Sequence, residues 1–174
     1  MDDTFEINKL TEFNSPTHGR VNFIEVADLI TEYINKDRDA EYEIAIGTDS
    51  MTHEFTKFVI AITVHKISKG GIFFTKTMYH DSYRKNQLFD KLYRETELSL
   101  NSSGILLGLM KGNGLDIDRT PIKIKFTVHV DIGNYGKTKD YIKTLVGMVH
   151  SYGYDCEFKP NSYAASSIAD KISK

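Results

Sequence analysis

Apolar positions in the first half of the chain change from a helical spacing to strand-like runs. Residues 22–35 carry apolar side chains at the three- and four-residue intervals of an amphipathic helix. Asn22 and Glu25 at the start of this segment form the sequence pattern of a capping box. Three runs rich in Val, Ile and Phe then predict strands at 42–50, 57–67 and 72–80. Gly70 and Gly71 predict the hairpin turn between the last two strands.

The second half of the chain alternates helical and strand patterns. In order, the pattern predicts a helix at 85–111, a strand at 122–131, a helix at 139–152, a strand at 154–159 and a final helix that Asn161 or Ser162 caps. Gly104 and Gly108 could break the first of these helices. Strands that alternate with helices run parallel through right-handed crossovers. We therefore predict an α/β fold with a mixed sheet and helices on both faces.

Length and composition are those of one globular domain. The chain has 174 residues, of which 40% are hydrophobic and 26% are charged, enough for one substantial core. We interpret residues 1–20, which show no period, as an irregular leader and residues 21–174 as a single domain.

The single cysteine and the polar N-terminus both favour a cytoplasmic location. Cys156 has no second cysteine to pair with in this chain, so no intramolecular disulfide can form. The first ten residues lack the positive-then-apolar order of a signal peptide. No apolar run reaches the roughly 20 residues that a membrane-spanning helix needs.

Two aspartates follow predicted strands and are candidates for shared chemistry. Asp49 ends the strand at 42–50, and Asp131 ends the strand at 122–131. Each lies on the side of its strand away from the aliphatic row, because side chains alternate with a period of two. If the strands are parallel neighbours, both carboxylates reach the carboxyl edge of the sheet, where α/β folds bind ligands. As single residues, either could instead be a turn former or a helix cap.

Two further acids could join them from predicted helices. Glu95 shares a helical stripe with Leu88 and Leu92, whereas Glu97 points away from it. No Lys or Arg is expected near Glu95 on that stripe, so a metal ion would supply the partner that a buried carboxylate needs. Asp170 lies on the final helix. Alternatively, Glu95 lies at the helix rim with its carboxylate in water, and Asp170 is simply exposed.

Basic residues and one histidine are candidates for binding a substrate. The net charge of −2 does not by itself favour a nucleic-acid binder. A basic face could nevertheless be built from Lys123, Lys125, Lys137, Lys139, Lys143 and Lys159. Among these, Lys137, Lys139 and Lys159 are candidates to bind phosphate, with an ordinary surface lysine as the alternative for Lys159. His129 could be a ligand or a proton shuttle, or a hydrogen-bonded structural histidine.

Several short strings together resemble a known family. IGTDS, RET, HVDIG with GKTKDY, and KPNSYAASSIADK are similar to those of small bacterial proteins predicted to be ribonuclease H-like. The resemblance covers roughly residues 20–174. The wider superfamily includes ribonuclease H and Holliday-junction resolvases. The chain differs from ribonuclease H itself in an added N-terminal helix, in lacking an obvious basic protrusion and in having no tryptophan.

The resemblance implies a sheet, a metal site and a reaction. The implied sheet has five strands in the order 3-2-1-4-5, and the implied cofactors are two Mg²⁺ or Mn²⁺ ions. Asp49 would bridge both ions, with Glu95, Asp131 and the more variable Asp170 as the other ligands. The expected activity is metal-dependent hydrolysis of nucleic-acid phosphodiester bonds.

Other functions and assemblies remain open from the sequence. One alternative is a catalytically inactive module that binds nucleic acid or protein, and another is an enzyme acting on small phosphoesters. The oligomeric state is also open, with a homodimer as one option.

Overall fold

The computed structural model describes residues 5–81, 83–84, 86–133, 136–159 and 161. The strands are β1 (Glu12–Ser15), β2 (Gly19–Asn22), β3 (Glu41–Thr52), β4 (Phe55–Lys66), β5 (Gly70–Asp81), β6 (Lys123–Val130) and β7 (Asp155–Phe158). The α-helices are α1 (Phe23–Asn35), α2 (Leu88–Gly112) and α3 (Ile142–Ser151), the last preceded by a 3-10 helix at Gly136–Tyr141. None of the helices in these ranges has both the length and the apolar character that crossing a bilayer requires.

The strands form one mixed sheet in the order β2-β1-β5-β4-β3-β6-β7. Strand β3 pairs in parallel with β6, and β6 with β7, while the remaining pairs are antiparallel. The five strands from β5 to β7 have the predicted 3-2-1-4-5 order, so the fold prediction is confirmed. The predicted number of five strands is wrong, because β1 and β2 extend the sheet beyond β5.

The two extra strands lie in the segment that the sequence analysis interprets as irregular. Strands β1 and β2 form an antiparallel hairpin, in which Glu12 pairs with Asn22. Each strand has only four residues, too few to show a clear period of two. Phe13 is nevertheless fully buried, and its ring centroid lies 4.7 Å from that of Phe23 in α1. The hairpin is therefore attached to the core by this aromatic contact.

Helix α1 begins at the predicted cap. The Asn22 side chain accepts a hydrogen bond from the Glu25 backbone N–H, and the Glu25 side chain accepts one from the Asn22 backbone N–H. The two bonds satisfy amide groups that a helix start would otherwise leave without partners. Val26, Ile30 and Ile34 are then fully buried along one face of the helix.

The three described α-helices form one layer. Helix α2 contacts α1 and α3 and packs on β3, β4 and β6. It runs without interruption, so neither Gly104 nor Gly108 breaks it. Within the described ranges, the helices that pack on the sheet are these three, and the prediction of helices on both faces also depends on the final helix. The predicted final helix lies outside the described residues.

The two faces of the sheet carry different side chains. Side chains alternate along β3, and hydrogen bonds to α2 show that Thr48 and Ser50 point toward that helix. We call the face of Thr48 and Ser50 the helix face. Gly47, Asp49 and Met51 alternate with them and therefore belong to the opposite face. Asp49 thus lies on the opposite face, as the sequence predicts.

The turn between β4 and β5 lies before the predicted glycine pair. It covers residues 67–69, with Ser68 at a φ of 64°. Gly71 is already in β5, opposite His65. A Cβ atom at Gly71 would lie 2.3 Å from the backbone oxygen of Val64. Gly71 is therefore needed for the close approach of two backbones and not for the turn itself.

Replacing Gly71 with alanine should destabilise the protein, because the added carbon collides with backbone atoms that cannot rotate away. We expect Gly71→Ala to lower the free energy of unfolding by about 1–3 kcal/mol. Gly108→Ala is the matched control, since its Cβ would meet nothing within 4 Å. In helix α2 this control should gain up to about 1 kcal/mol. Urea denaturation of both variants measures the two changes, and an equally stable Gly71→Ala variant would contradict the geometry.

Candidate functional site

The carboxyl edge of the sheet brings two of the predicted acids together. In the parallel pairing of β3 with β6, Gly47 lies opposite His129 and Thr48 opposite Val130. Asp49 and Asp131 are the next residues on the two chains, so they stand side by side where β6 ends. The prediction that the two strands are parallel neighbours is confirmed.

Glu95 reaches this edge from helix α2. Its side chain is only 4% exposed, and its Oε1 accepts a hydrogen bond of 2.5 Å from the Ser50 hydroxyl. One turn further along α2, the hydroxyls of Ser99 and Thr48 lie 2.7 Å apart. These two contacts attach α2 to β3 beside Asp49. Glu97 instead pairs with Arg94, which supports the choice of Glu95 as the inward carboxylate.

Burial makes Glu95 a weaker acid than an exposed glutamate. The pKa of its carboxyl is raised to about 8, chiefly by loss of hydration, with the charges of Asp49 and Asp131 acting in the same direction. The Ser50 hydrogen bond and the charge of Lys91 act in the other direction. Lys91 precedes Glu95 by one helical turn, so the expectation of no cation near this stripe is wrong. Glu95 and the two aspartates whose charges raise its pKa, Asp49 and Asp131, form what we call the carboxylate site.

Asp131 is paired with Lys159. The Lys159 Nζ lies 3.0 Å from Asp131 Oδ1, and the side chains are 49% and 16% exposed. Oδ1 is buried and has no hydrogen-bond partner of suitable geometry, so the contact is ionic without being a well-directed hydrogen bond. The Lys159 backbone N–H donates to the Ile132 oxygen at 3.0 Å, which holds the end of β7 next to Asp131. Lys159, predicted to bind phosphate, thus neutralises a predicted metal ligand here.

The donors suit a hard divalent cation, but the described residues alone do not complete its ligand set. Carboxylate oxygens are the ligands that Mg²⁺ and Mn²⁺ prefer, and Asp131 Oδ1 is a buried oxygen that has an ion pair with Lys159 but no hydrogen bond. Within the described ranges, no three His, Cys, Asp or Glu side chains are grouped closely enough to hold an ion. Strand alternation separates Asp49 from Glu95, because Asp49 lies on the opposite face of β3 from Ser50, whose hydroxyl donates to Glu95. The fourth predicted ligand, Asp170, lies outside the described residues.

His129 lies beneath the carboxylate site and is not at its surface. It is 1% exposed, and burial lowers the pKa of its imidazole to about 4. A neutral, buried ring has no charge to offer a phosphate at neutral pH. These properties favour the structural interpretation of His129 over the substrate-binding one.

The predicted basic face is partly neutralised. Lys123 pairs with Glu41 at 2.7 Å and Lys125 with Glu157 at 3.4 Å. Lys139 and Lys143 are exposed, in the 3-10 helix and in α3 respectively. The side chain of Lys137 lies outside the described residues. Of these lysines, Lys139 and Lys143 are exposed, whereas Lys159 is engaged by Asp131.

Two neighbours of Glu95, Ser50 and Lys91, were not predicted from the sequence. Ser50 was predictable in principle, because it follows Thr48 by two residues and so shares the strand face that meets α2. Lys91 was also predictable, since residues four apart are neighbours on a helix surface. Only the packing of α2 on β3 reveals that both act on the same carboxyl group.

Comparison with known proteins agrees with this fold. The model of the ribonuclease H-like family matches residues 25–174, and the chain therefore belongs to the ribonuclease H-like family. A curated relative, "Uncharacterized protein YkuK" of Bacillus subtilis (strain 168), is 31% identical over 185 residues, covering 100% of both chains. No solved structure matches the chain significantly.

The raised pKa of Glu95 should be visible as a loss of stability with rising pH. The folded-state value of about 8 exceeds the ordinary value of 4.5. Between these two pH values the unfolded chain releases a proton that the folded protein keeps, so the contribution of Glu95 is complete below pH 4.5 and is lost by about pH 8. Chemical denaturation in EDTA should show this decline in wild type and a smaller decline in Glu95→Gln.

The matched control is Glu97→Gln, because Glu97 lies on the same helix in a partly exposed ion pair with Arg94. This control should retain the pH dependence of the wild type. If Glu95→Gln and wild type lose stability in parallel between pH 5 and 8, roughly the range set by the two pKa values, Glu95 is not a buried acid.

Proposed function

We propose that this chain is a divalent-metal-dependent nuclease that acts on nucleic-acid phosphodiester bonds. The observation that carries the proposal is the buried carboxyl group of Glu95, which feels the charges of both Asp49 and Asp131 at the carboxyl edge of the sheet. Placing acids together in a buried position costs stability unless cations share the site. Membership of the ribonuclease H-like family supports the same function.

In this proposal Asp49, Glu95 and Asp131 hold Mg²⁺ or Mn²⁺, with Asp170 as a further ligand. A bound ion would supply Lewis-acid stabilisation of phosphate charge and a more acidic water. Ser50 positions the Glu95 carboxyl group at this edge through its hydroxyl. Lys159 holds the Asp131 side chain in place through their ion pair, and in this proposal it exchanges that contact for a substrate phosphate.

Cleavage should depend on both the metal and the three acids. We expect Mn²⁺-dependent cleavage in a screen of single-stranded, duplex, hybrid and four-way-junction substrates, and none in EDTA. Even the residues that only hydrogen-bond to a metal ligand typically contribute about 10- to 100-fold to activity. Asp49 and Glu95 are proposed as ligands themselves, so Asp49→Asn and Glu95→Gln should each lower the cleavage rate by at least about 100-fold. Glu97→Gln should cleave at the wild-type rate, because its ion pair with Arg94 points away from the site. Equal activity of Glu95→Gln and Glu97→Gln would refute the assigned role of Glu95.

Metal binding should also stabilise the fold through Asp131. In EDTA, the free energy of unfolding of Asp131→Asn should lie within about 1 kcal/mol of the wild-type value. The substitution removes an ion pair whose lysine is half exposed, but it also relieves the repulsion between carboxylates. At a Mn²⁺ concentration 100-fold above Kd, wild type should gain about 2.7 kcal/mol, and the variant should gain much less. Thermal melts with EDTA and with Mn²⁺ measure both effects. A variant that melts well below wild type in EDTA and still gains stability from Mn²⁺ would identify Asp131 as a structural residue.

A second candidate function is a non-catalytic module that binds nucleic acid or protein. One observation favours it, namely that Lys159 already compensates Asp131 while no three-ligand group forms within the described part of the chain. The same melts separate the two functions. Wild-type protein that gains no stability from Mn²⁺ or Mg²⁺, and cleaves none of the substrates, would support the binding module.

A further inference from the structure

We propose that a groove at the tip of the β3–β4 hairpin binds unpaired bases of a single-stranded nucleic acid. The groove, which we call the hairpin groove, is lined by Met51, His53, Glu54, Phe55, Lys57 and Tyr79. This inference rests on the proposed function, because the groove would hold the substrate strand of the nuclease beside the carboxylate site.

The strand register builds this groove on the same face as Asp49. Lys57 of β4 lies directly between Met51 of β3 and Tyr79 of β5, so the three side chains form a row across the sheet. Phe55 precedes Lys57 by two residues, which places it on the same face and diagonal to Tyr79. The groove is therefore a continuous strip of one sheet face.

Its two aromatic rings face solvent. Phe55 is 59% exposed and Tyr79 is 65% exposed, whereas large apolar side chains on the helix face of the same strands, such as Phe58 and Ile60, are fully buried. The groove has a volume of about 340 Å³. The exposure of aromatic rings to water is unfavourable unless a partner covers them, and exposed rings beside a concave surface mark interaction sites.

The chemistry of the lining fits bases better than an apolar peptide. Aromatic side chains stack on any base, and this sequence-tolerant stacking is the usual way in which single strands are held. Lys57 is paired with Tyr79 across the strands and follows Phe55 by two residues, so it brings a positive charge beside both rings, where a phosphate could lie. His53 and Glu54 add polar groups to the lining at the hairpin tip. Duplex bases are already stacked on one another, so the groove should select unpaired segments.

The groove also has the right position for a substrate strand. Met51 follows Asp49 by two residues on β3, a distance of about 6–7 Å along the strand. A single strand whose bases stack on Tyr79 and Phe55 would therefore continue over Asp49. This geometry connects base binding at the hairpin groove with phosphate chemistry at the carboxylate site.

The absence of tryptophan from the chain allows a direct optical test. Tyr79→Trp introduces the sole tryptophan into the groove, where stacking on a base should quench its fluorescence. Tyr152→Trp is the matched control, since Tyr152 is 57% exposed and lies at the end of α3, before the amino end of β7. Each variant is titrated in EDTA with thymidine and uridine oligonucleotides about 12 nucleotides long, within the usual site size, and with a blunt duplex.

Saturable quenching of the Tyr79→Trp variant by single strands, and little by the duplex, is the expected result. The Tyr152→Trp variant should not respond. Fluorescence anisotropy with labelled oligonucleotides should show that Tyr79→Ala and Phe55→Ala each weaken binding roughly 5- to 150-fold, the loss expected for one stacked base. Both positions are exposed, so these variants should melt like wild type.

The proposal is overturned if single strands leave the Tyr79→Trp variant unquenched, if the duplex quenches it equally, or if the Tyr152→Trp variant responds to the same degree. Because the titration is made in EDTA, its outcome does not depend on cleavage. Cleavage without quenching would refute base binding at the hairpin groove and leave the nuclease proposal standing. Quenching without cleavage would refute the nuclease proposal and leave base binding standing.

Discussion

The parallel pairing of β3 with β6 is the contact on which the rest of the structure depends. It joins the antiparallel half of the sheet to the α/β half and brings Asp49 and Asp131 to one edge. Helix α2 then lies across β3, β4 and β6, which carries Glu95 to the same edge. A shift of one residue in this register would turn Asp49 to the helix face and bury a charge in the apolar core. Core packing and site geometry are thus set by a single register.

The cost of the site is electrostatic and local. Glu95 loses most of its hydration and feels two like charges, while Lys91 and Ser50 only partly compensate. The strand alternation that separates Asp49 from Glu95 limits their repulsion, and Lys159 neutralises Asp131. This arrangement therefore tolerates three acids because the pKa of one is raised, another is paired with a lysine and the third lies on the opposite face.

Toward the carboxyl end of β3, the two faces of the sheet have different roles. The helix face buries the aliphatic side chains of β3, β4 and β6 under one layer of helices. The opposite face carries Asp49 and, further along the same strand, the lining of the hairpin groove. Because side chains alternate, one central strand can contribute to the core and to a surface site without any irregular backbone.

The sequence by itself determined five of the seven strands, the capped start of α1 and the position of Asp49 and Asp131 near the carboxyl ends of β3 and β6, because each leaves a local signal of period, capping or position. The order of those five strands was an expectation from the family resemblance. It did not determine the hairpin at Glu12–Asn22, whose four-residue strands are too short to show a period. The tertiary structure alone decided that Lys159 pairs with Asp131, that Ser50 binds Glu95, and that Tyr79, Lys57 and Met51 stand in one row. Those contacts join residues distant in sequence, and only the register of the strands and the packing of α2 bring them within reach.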